Sequence, residues 1–347
     1  MAKVDGKGIA RLRAWRLYLI LGLIGVLGYS FLPSGSLQNI HYQVIGIVAV
    51  VAMSIGLRLN RPSFALPWYL VIGGQALLVV GDGIYNYYEL VLHVESPFPS
   101  VADVAYLGGY LFLIGGVALL LRSRAAGGDA GDTLDAAIIT VGLAVVVWVY
   151  FMEPYAQDAS LSLTERLVSI SYPLIDVLLI ALAVRMLLAR GARQPAFFLV
   201  SASLVLTLVT GAIYATLVLN GSYQSGSFVD NGWLVSYVLW GVAALHPSMR
   251  NLSETEPERQ PKLSRGRVVS LVAAALLAPL IFLFEHLRGN PGHELAAEWS
   301  AVALFLLVLA RMVGIVRKNE RSAAREHALR VAGIKLVAAP GREGIYA

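Results

Sequence analysis

AFFLVSASLVLTLVTGAIYATLVL, residues 196–219, runs for 24 residues without one charged side chain. As an α-helix it would be about 36 Å long, enough to cross the ~30 Å hydrocarbon core of a bilayer. A helix or strand on the face of a soluble domain breaks such a run with a polar period of 3.6 or 2 residues. Outward from it in both directions the pattern recurs. The ten apolar segments are 15–32, 40–57, 66–90, 101–121, 134–152, 167–188, 196–219, 228–245, 268–287 and 295–316. Helix breakers lie between them, among them Pro33-Ser34-Gly35, Pro62, Pro97, Pro99, Gly127-Gly128, Gly191, Gly221, Pro247 and Pro291-Gly292. Of the 347 residues 57% are hydrophobic and 14% charged, where a soluble domain carries about a quarter charged residues. The expected fold is all-α, a polytopic transmembrane helix bundle of about ten spans embedded in the lipid bilayer.

Charge sets the orientation. With the amino terminus inside, 25 of the 27 lysines and arginines fall on the cytoplasmic side, and only Arg166 and Arg288 fall outside. Basic residues are retained on the cytoplasmic face, so both termini are expected there. This retention also accounts for the net charge of +5, and no nucleic-acid partner is expected. Lys3, Lys7, Arg11, Arg13 and Arg16 precede the first apolar run, but the bulky Tyr29-Ser30-Phe31-Leu32-Pro33 offers no signal-peptidase site. The first segment is read as a retained span. The chain has no cysteine, which excludes disulfides, thiolate metal sites and cysteine nucleophiles.

The even-numbered segments share a polar–aromatic pair near their outer ends: His41-Tyr42, Gly109-Tyr110, Ser171-Tyr172, Ser236-Tyr237 and Glu298-Trp299. Their spacing of 62 to 68 residues equals one helical hairpin. Five repeated hairpins and ordinary interfacial aromatics both produce such a pattern. Two regions are expected: a transmembrane domain over 1–316, and a cytoplasmic helix that opens a further module over 317–347. Residues 317–330, RKNERSAAREHALR, alternate charges as a solvated or coiled-coil helix does, and pairing of this helix would make a homodimer.

Three stretches carry a resemblance: 97–110 (PFPSVADVAYLGGY), 171–178 (SYPLIDVL) and 232–249 (GWLVSYVLWGVAALHPSM). They resemble the multi-pass amino-terminal region of bacterial, mainly actinobacterial, signalling proteins that carry cyclic di-GMP GGDEF and EAL domains. Residues 328–339, ALRVAGIKLVAA, are similar to the entry helix of a GAF-type module. The resemblance implies an input domain in the bacterial cytoplasmic membrane, within a diguanylate cyclase or phosphodiesterase. It carries over no catalytic residue. The chain contains no GGDEF or EAL motif, so it reads as a piece of a longer protein or as a sensor without its output half.

Ionisable groups inside spans are costly and point to function. In the third segment Gln75, Asp82 and Glu89 recur every seven residues, on one helical face with Tyr85 beside them. Asp103, Tyr106 and Tyr110 align in the fourth, Tyr172 and Asp176 in the sixth, and Trp233, Tyr237 and Trp240 in the eighth, with Glu285 in the ninth. Together they outline an acidic, aromatic-walled cavity open to the outside, suited to a small cation or an amphiphile with a basic group. The same residues could instead join neighbouring helices. Asp82, between Gly81 and Gly83, is the expected centre, with Tyr110 or Tyr172 as hydrogen-bond partner. Arg185 and Arg311 are expected to snorkel at the inner boundary. No metal or cofactor is expected: His246 lies at the inner end while Glu285, His286 and His293 lie at the outer, and no phosphate loop, nucleophile elbow or His-Glu-x-x-His occurs. Two functions fit: a sensory input domain that signals through its last helix, and a transporter of small molecules or ions.

Overall fold

The computed structural model describes residues 6–94, 96–124, 130–188, 194–253, 265–289 and 294–338, and these form an all-α polytopic bundle. Its long helices are α1 (Gly6–Tyr29), α2 (Ser36–Asn60), α3 (Leu66–Leu90), α4 (Val101–Arg124), α5 (Ala130–Val147), α6 (Leu163–Leu188), α7 (Pro195–Leu219), α8 (Asp230–Leu245), α9 (Arg265–Leu287) and α10 (Glu294–Ala338). After Val147, α5 continues through a π-helical turn, Trp148–Met152, into one further α-helical stretch, Glu153–Gln157. Among the described residues, eight helices are long and apolar enough to cross a membrane. The remaining two are α1 and α8, whose apolar lengths are shorter.

Local chemistry fixes the starts. Pro67 and Pro195 occupy first-turn positions, where a missing N–H is harmless. Ser100 and Asp103 cap α4 reciprocally: the Ser100 amide donates to Asp103 Oδ2 at 2.7 Å, and the Ala102 amide donates to Ser100 Oγ at 3.1 Å. The Ser162 amide likewise donates to Glu165 Oε2 at 2.7 Å at the start of α6. Asp103 is thus held at one end of the bundle, the end where α1 joins α2, α3 joins α4, α5 joins α6 and α7 joins α8.

Long apolar side chains face outward along most helices, for example Leu17, Ile24, Val48, Leu111, Leu178, Leu280 and Phe305, as lipid requires. The inverse holds for α8, where Leu234, Val238, Trp240, Val242, Ala243 and Ala244 are each at most 2% exposed. It is the axis of the bundle, wrapped by α1, α2 and α7. Helices α3 and α4 form the tightest pair. At their crossing a Cβ on Gly74 would lie 2.7 Å from the Gly109 carbonyl oxygen, so only glycine permits this approach. The main core fills the half of the bundle away from the capped end, from Met53 and Trp68 to Phe197 and Trp240. A 3₁₀ stretch, Pro247–Ser253, seals that half with Met249 and Leu252.

Helices α9 and α10 stand to one side, packed on α5 around Ile138, Val145, Ala278 and Leu304. One continuous helix, α10, runs from the membrane-spanning part to Ala338. The last residue of the similarity to a GAF entry helix, and everything after it, lies outside the described residues.

Candidate functional site

Above the core, at the capped end, lies a cavity of about 670 Å³ walled by α1 to α8 and by the loops between them. That volume suits a ligand of drug-like size. Nine of the twelve residues that the sequence proposes line it: Asp82 and Tyr85 on α3, Asp103, Tyr106 and Tyr110 on α4, Tyr172 and Asp176 on α6, Trp233 and Tyr237 on α8. Helical phase brings the α3, α4, α6 and α8 stripes to one space.

The other three lie elsewhere. Trp240, one turn below Tyr237, is sealed in the core at 2% exposure. Glu89, two turns past Asp82, has left the wall and accepts a hydrogen bond from Asn39 Nδ2 of α2 at 2.9 Å. Glu285 belongs to the α5–α9–α10 group, where Tyr150 donates to it at 3.1 Å, and α5 separates it from the cavity. Gln75, on the Asp82 face but seven residues deeper, is also core. His246 is a structural group: its ring bonds Ser248 Oγ at 2.8 Å and packs on Trp15. His293 lies outside the described residues.

The wall also holds residues that the sequence stripes do not include: Tyr29, Tyr42, Tyr155, Tyr214, Tyr223 and Asp230. Asp230, near the start of the eighth apolar segment, opens α8 three residues before Trp233 and seven before Tyr237, in phase with both. That phase is the signal the sequence offers. Tyr214 lies in phase with Ser203, Thr207 and Thr210 on α7, a hydroxyl stripe that has no ionisable group to mark it.

Three of the four wall aspartates accept hydrogen bonds from neighbouring groups. Asp82 accepts the hydroxyls of Tyr106 at 2.9 Å and Tyr237 at 3.2 Å, not those of Tyr110 or Tyr172. A Cβ on Gly81 would meet the Tyr106 ring at 2.6 Å, so this glycine is what seats the ring against Asp82. Asp103 accepts Tyr172 OH at 2.6 Å in addition to the Ser100 cap. Asp230 accepts Tyr29 OH at 3.1 Å, Tyr223 OH at 3.0 Å and the Gly226 amide at 2.8 Å. Burial and the adjacent Asp230 carboxylate push the Tyr223 hydroxyl up, so it stays protonated and donating. Asp176 differs: no hydrogen bond to its carboxyl occurs among the described residues.

Among the described residues, no lysine, arginine or histidine lines the cavity. Four carboxyl groups and ten tyrosines therefore face a space to which those residues bring no cation. No family model, curated protein or solved structure matches the chain. Chemistry must be read from the wall itself. Among the described residues no three acidic or histidine groups come together as metal ligands. A wall of carboxyls, hydroxyls and aromatic faces favours an organic cation.

A second polar cluster lies at the opposite end. Asp135 of α5, fully buried, pairs with Arg267 of α9 and Arg311 of α10. The contacts are 2.6 Å from Arg267 Nε and 2.5 Å from Arg311 Nε, and Arg267 also reaches Asp132. Arg311 does not snorkel, because a buried carboxylate within reach outweighs the path to the headgroups. Arg185 does lie exposed near the end of α6.

Proposed function

We propose that this chain is the membrane-embedded input domain of a signalling protein, which binds a cationic ligand in the eight-helix cavity and passes its occupancy to the cytoplasm along α10. One observation carries the reading: α5 belongs to both sites. Val147, Phe151 and Tyr155, on and beside its π-helical turn, form cavity wall, while Asp135 on the same helix grips Arg311 of α10. π-Turns are weak points of a helix that recur at functional sites, and a shift there would move the far end of α5 against α10.

The orientation is part of the proposal. The end opposite the cavity carries Arg58, Arg61, Arg122, Arg250 and Arg267, so the positive-inside rule turns the cavity outward and α10 into the cytoplasm of a bacterial inner membrane. Cyclic di-GMP output domains and dimerisation through α10 are the continuation that the sequence resemblance suggests. Transport is the second reading, favoured by Pro173 in α6 and the π-turn in α5, both beside the cavity.

The test needs no ligand. The chain lacks cysteine, so Arg58→Cys with Leu329→Cys gives a clean spin-label pair spanning the inner end of α2 and the extension of α10. Filling the cavity with Ala215→Trp is expected to shift the distance distribution between the labels, and Arg311→Leu to abolish that shift. An unchanged distribution in the filled protein refutes the input-domain reading. Accumulation of organic cations in sealed vesicles, with α10 unmoved, would establish the transporter instead.

A further inference from the structure

The four wall aspartates are not equivalent, and their depth and partners rank them. Asp103 and Asp230 sit in the first turns of α4 and α8, at the mouth. Asp176 lies 13 residues into α6, about 20 Å below the start of that helix. Below it the lining turns apolar with Leu78, Ile180 and Leu208.

Asp176 is also the one whose acceptors are unused among the described residues. Tyr110, which lines the same cavity, makes no hydrogen bond among them either. Across from Asp176, on α7, stands Gly211. A Cβ there would lie 3.8 and 3.9 Å from the two carboxylate oxygens and touch nothing else. The missing side chain leaves open space directly in front of the carboxyl. The carboxyl is half-buried and has no protein donor among the described residues, and its vacant partner position faces the cavity.

We propose that Asp176 anchors the ammonium head of an elongated primary amine, which enters the cavity charge first. This rests on the cavity being a ligand site and adds the ligand class and the contact that selects it. A primary ammonium has three N–H donors; the two oxygens of Asp176 and the hydroxyl of Tyr110 offer three unfilled acceptors. The apolar body then extends toward the mouth between tyrosine faces. A hard divalent ion fits the wall poorly, since three of the four carboxyls already accept other donors and no three acidic groups come together among the described residues. A phosphate-bearing amine, such as a zwitterionic lipid headgroup, is disfavoured because no basic side chain among the described residues lines the cavity.

The experiment is isothermal titration calorimetry on the whole detergent-solubilised chain, with 4-phenylbutylammonium and its neutral counterpart 4-phenylbutanol. The ammonium is expected to bind at least tenfold more tightly than the alcohol, and Asp176→Asn to remove that preference. Gly211→Leu, which keeps the carboxyl but fills the space before it, is expected to weaken the ammonium at least tenfold while helix content and unfolding midpoint hold. Equal binding of ammonium and alcohol overturns the proposal, as does undiminished ammonium binding to Asp176→Asn. Should the asparagine variant not fold, undiminished binding to Gly211→Leu overturns it alone. Asp176-dependent binding together with unresponsive α10 labels would leave this inference standing and remove the signalling role. Responsive labels without ammonium preference would do the reverse.

Discussion

Replacing Asp135 by leucine strips the α5–α9–α10 group of the carboxylate that holds it together. The Asp135 side chain is 0% exposed, and those of Arg267 and Arg311 are 10% and 14% exposed. Breaking a buried ion pair by removing one partner costs about 3–5 kcal/mol, because the other charge is left uncompensated. Asp135→Leu strands Arg311 and takes a buried carboxylate from Arg267 as well, so the upper end of that range, about 5 kcal/mol, applies. Arg311→Leu leaves Asp135 paired with Arg267, and the lower end, about 3 kcal/mol, applies. The latter is still a change of roughly 150-fold in the unfolding equilibrium.

The decisive quantity is the double variant. If the two groups touch, removing both relieves the stranded charge, and the combined cost falls short of the sum by about 2 kcal/mol or more. The assay is unfolding in mixed micelles by added denaturing detergent, followed by helical circular dichroism, on wild type, both single variants and the double. Additivity within about 0.5 kcal/mol would show that Asp135 and Arg311 are independent, and with it the proposed link from cavity to α10 would be lost.

Gly81→Val is expected to push the Tyr106 ring off Asp82 and destabilise the protein by about 1–3 kcal/mol, as overpacking does; wild-type stability would refute the seating of that ring. Tyr106→Phe leaves Asp82 Oδ1 without its donor and is expected to cost about 1–3 kcal/mol in the same unfolding assay, more than Tyr87→Phe on the exposed side of α3. For topology, single cysteines at Gly35, Ala159 and Ser222 are expected to react with an impermeant maleimide from outside intact cells, and one at Arg58 only after permeabilisation. One reversed site refutes the orientation. In the α5–α6 loop, Asp158 accepts the Ser160 amide and hydroxyl at 2.9 and 2.6 Å, which holds its carboxyl below the ordinary value of 3.8. Its contribution is complete above that value and is lost as pH falls through the lowered one. Faster hydrogen exchange of the Ser160 amide in that acid window is the expected readout.

The spans are legible because each is bounded by its own chemistry, a Pro67 or a Gly35, and needs no knowledge of its neighbours. Nine cavity residues are legible because helical phase places Asp82 with Tyr85, and Trp233 with Tyr237, before any helix is packed. Depth and partner choice are not. Trp240 shares the phase of Tyr237 but sits a turn too deep, and only the packed core reveals where the cavity floor lies. Glu285 has a plausible depth but the wrong neighbour, since α5 intervenes. Arg311 reads as a snorkelling residue because Asp135, its partner, is 176 residues away, and no local pattern announces a contact of that range.

The shortness of α8 bears on how the protein is made. Sixteen residues give a helix of about 24 Å, below the ~30 Å of the bilayer interior. Its polar first turn, with Asp230 and Asn231, would meet acyl chains if the helix entered alone. The Asp230 carboxylate is bonded by Tyr29 at the far end of α1 and by Tyr223 and Gly226 just before it, and the Asn231 amide nitrogen donates to Ser30. The first and eighth helices must therefore find each other across some 200 residues of chain before the eighth has a stable place. Biogenesis then has an order: α1 waits in the membrane, α7 and α8 arrive as a hairpin, and the pocket closes only when the earliest and one of the latest helices meet.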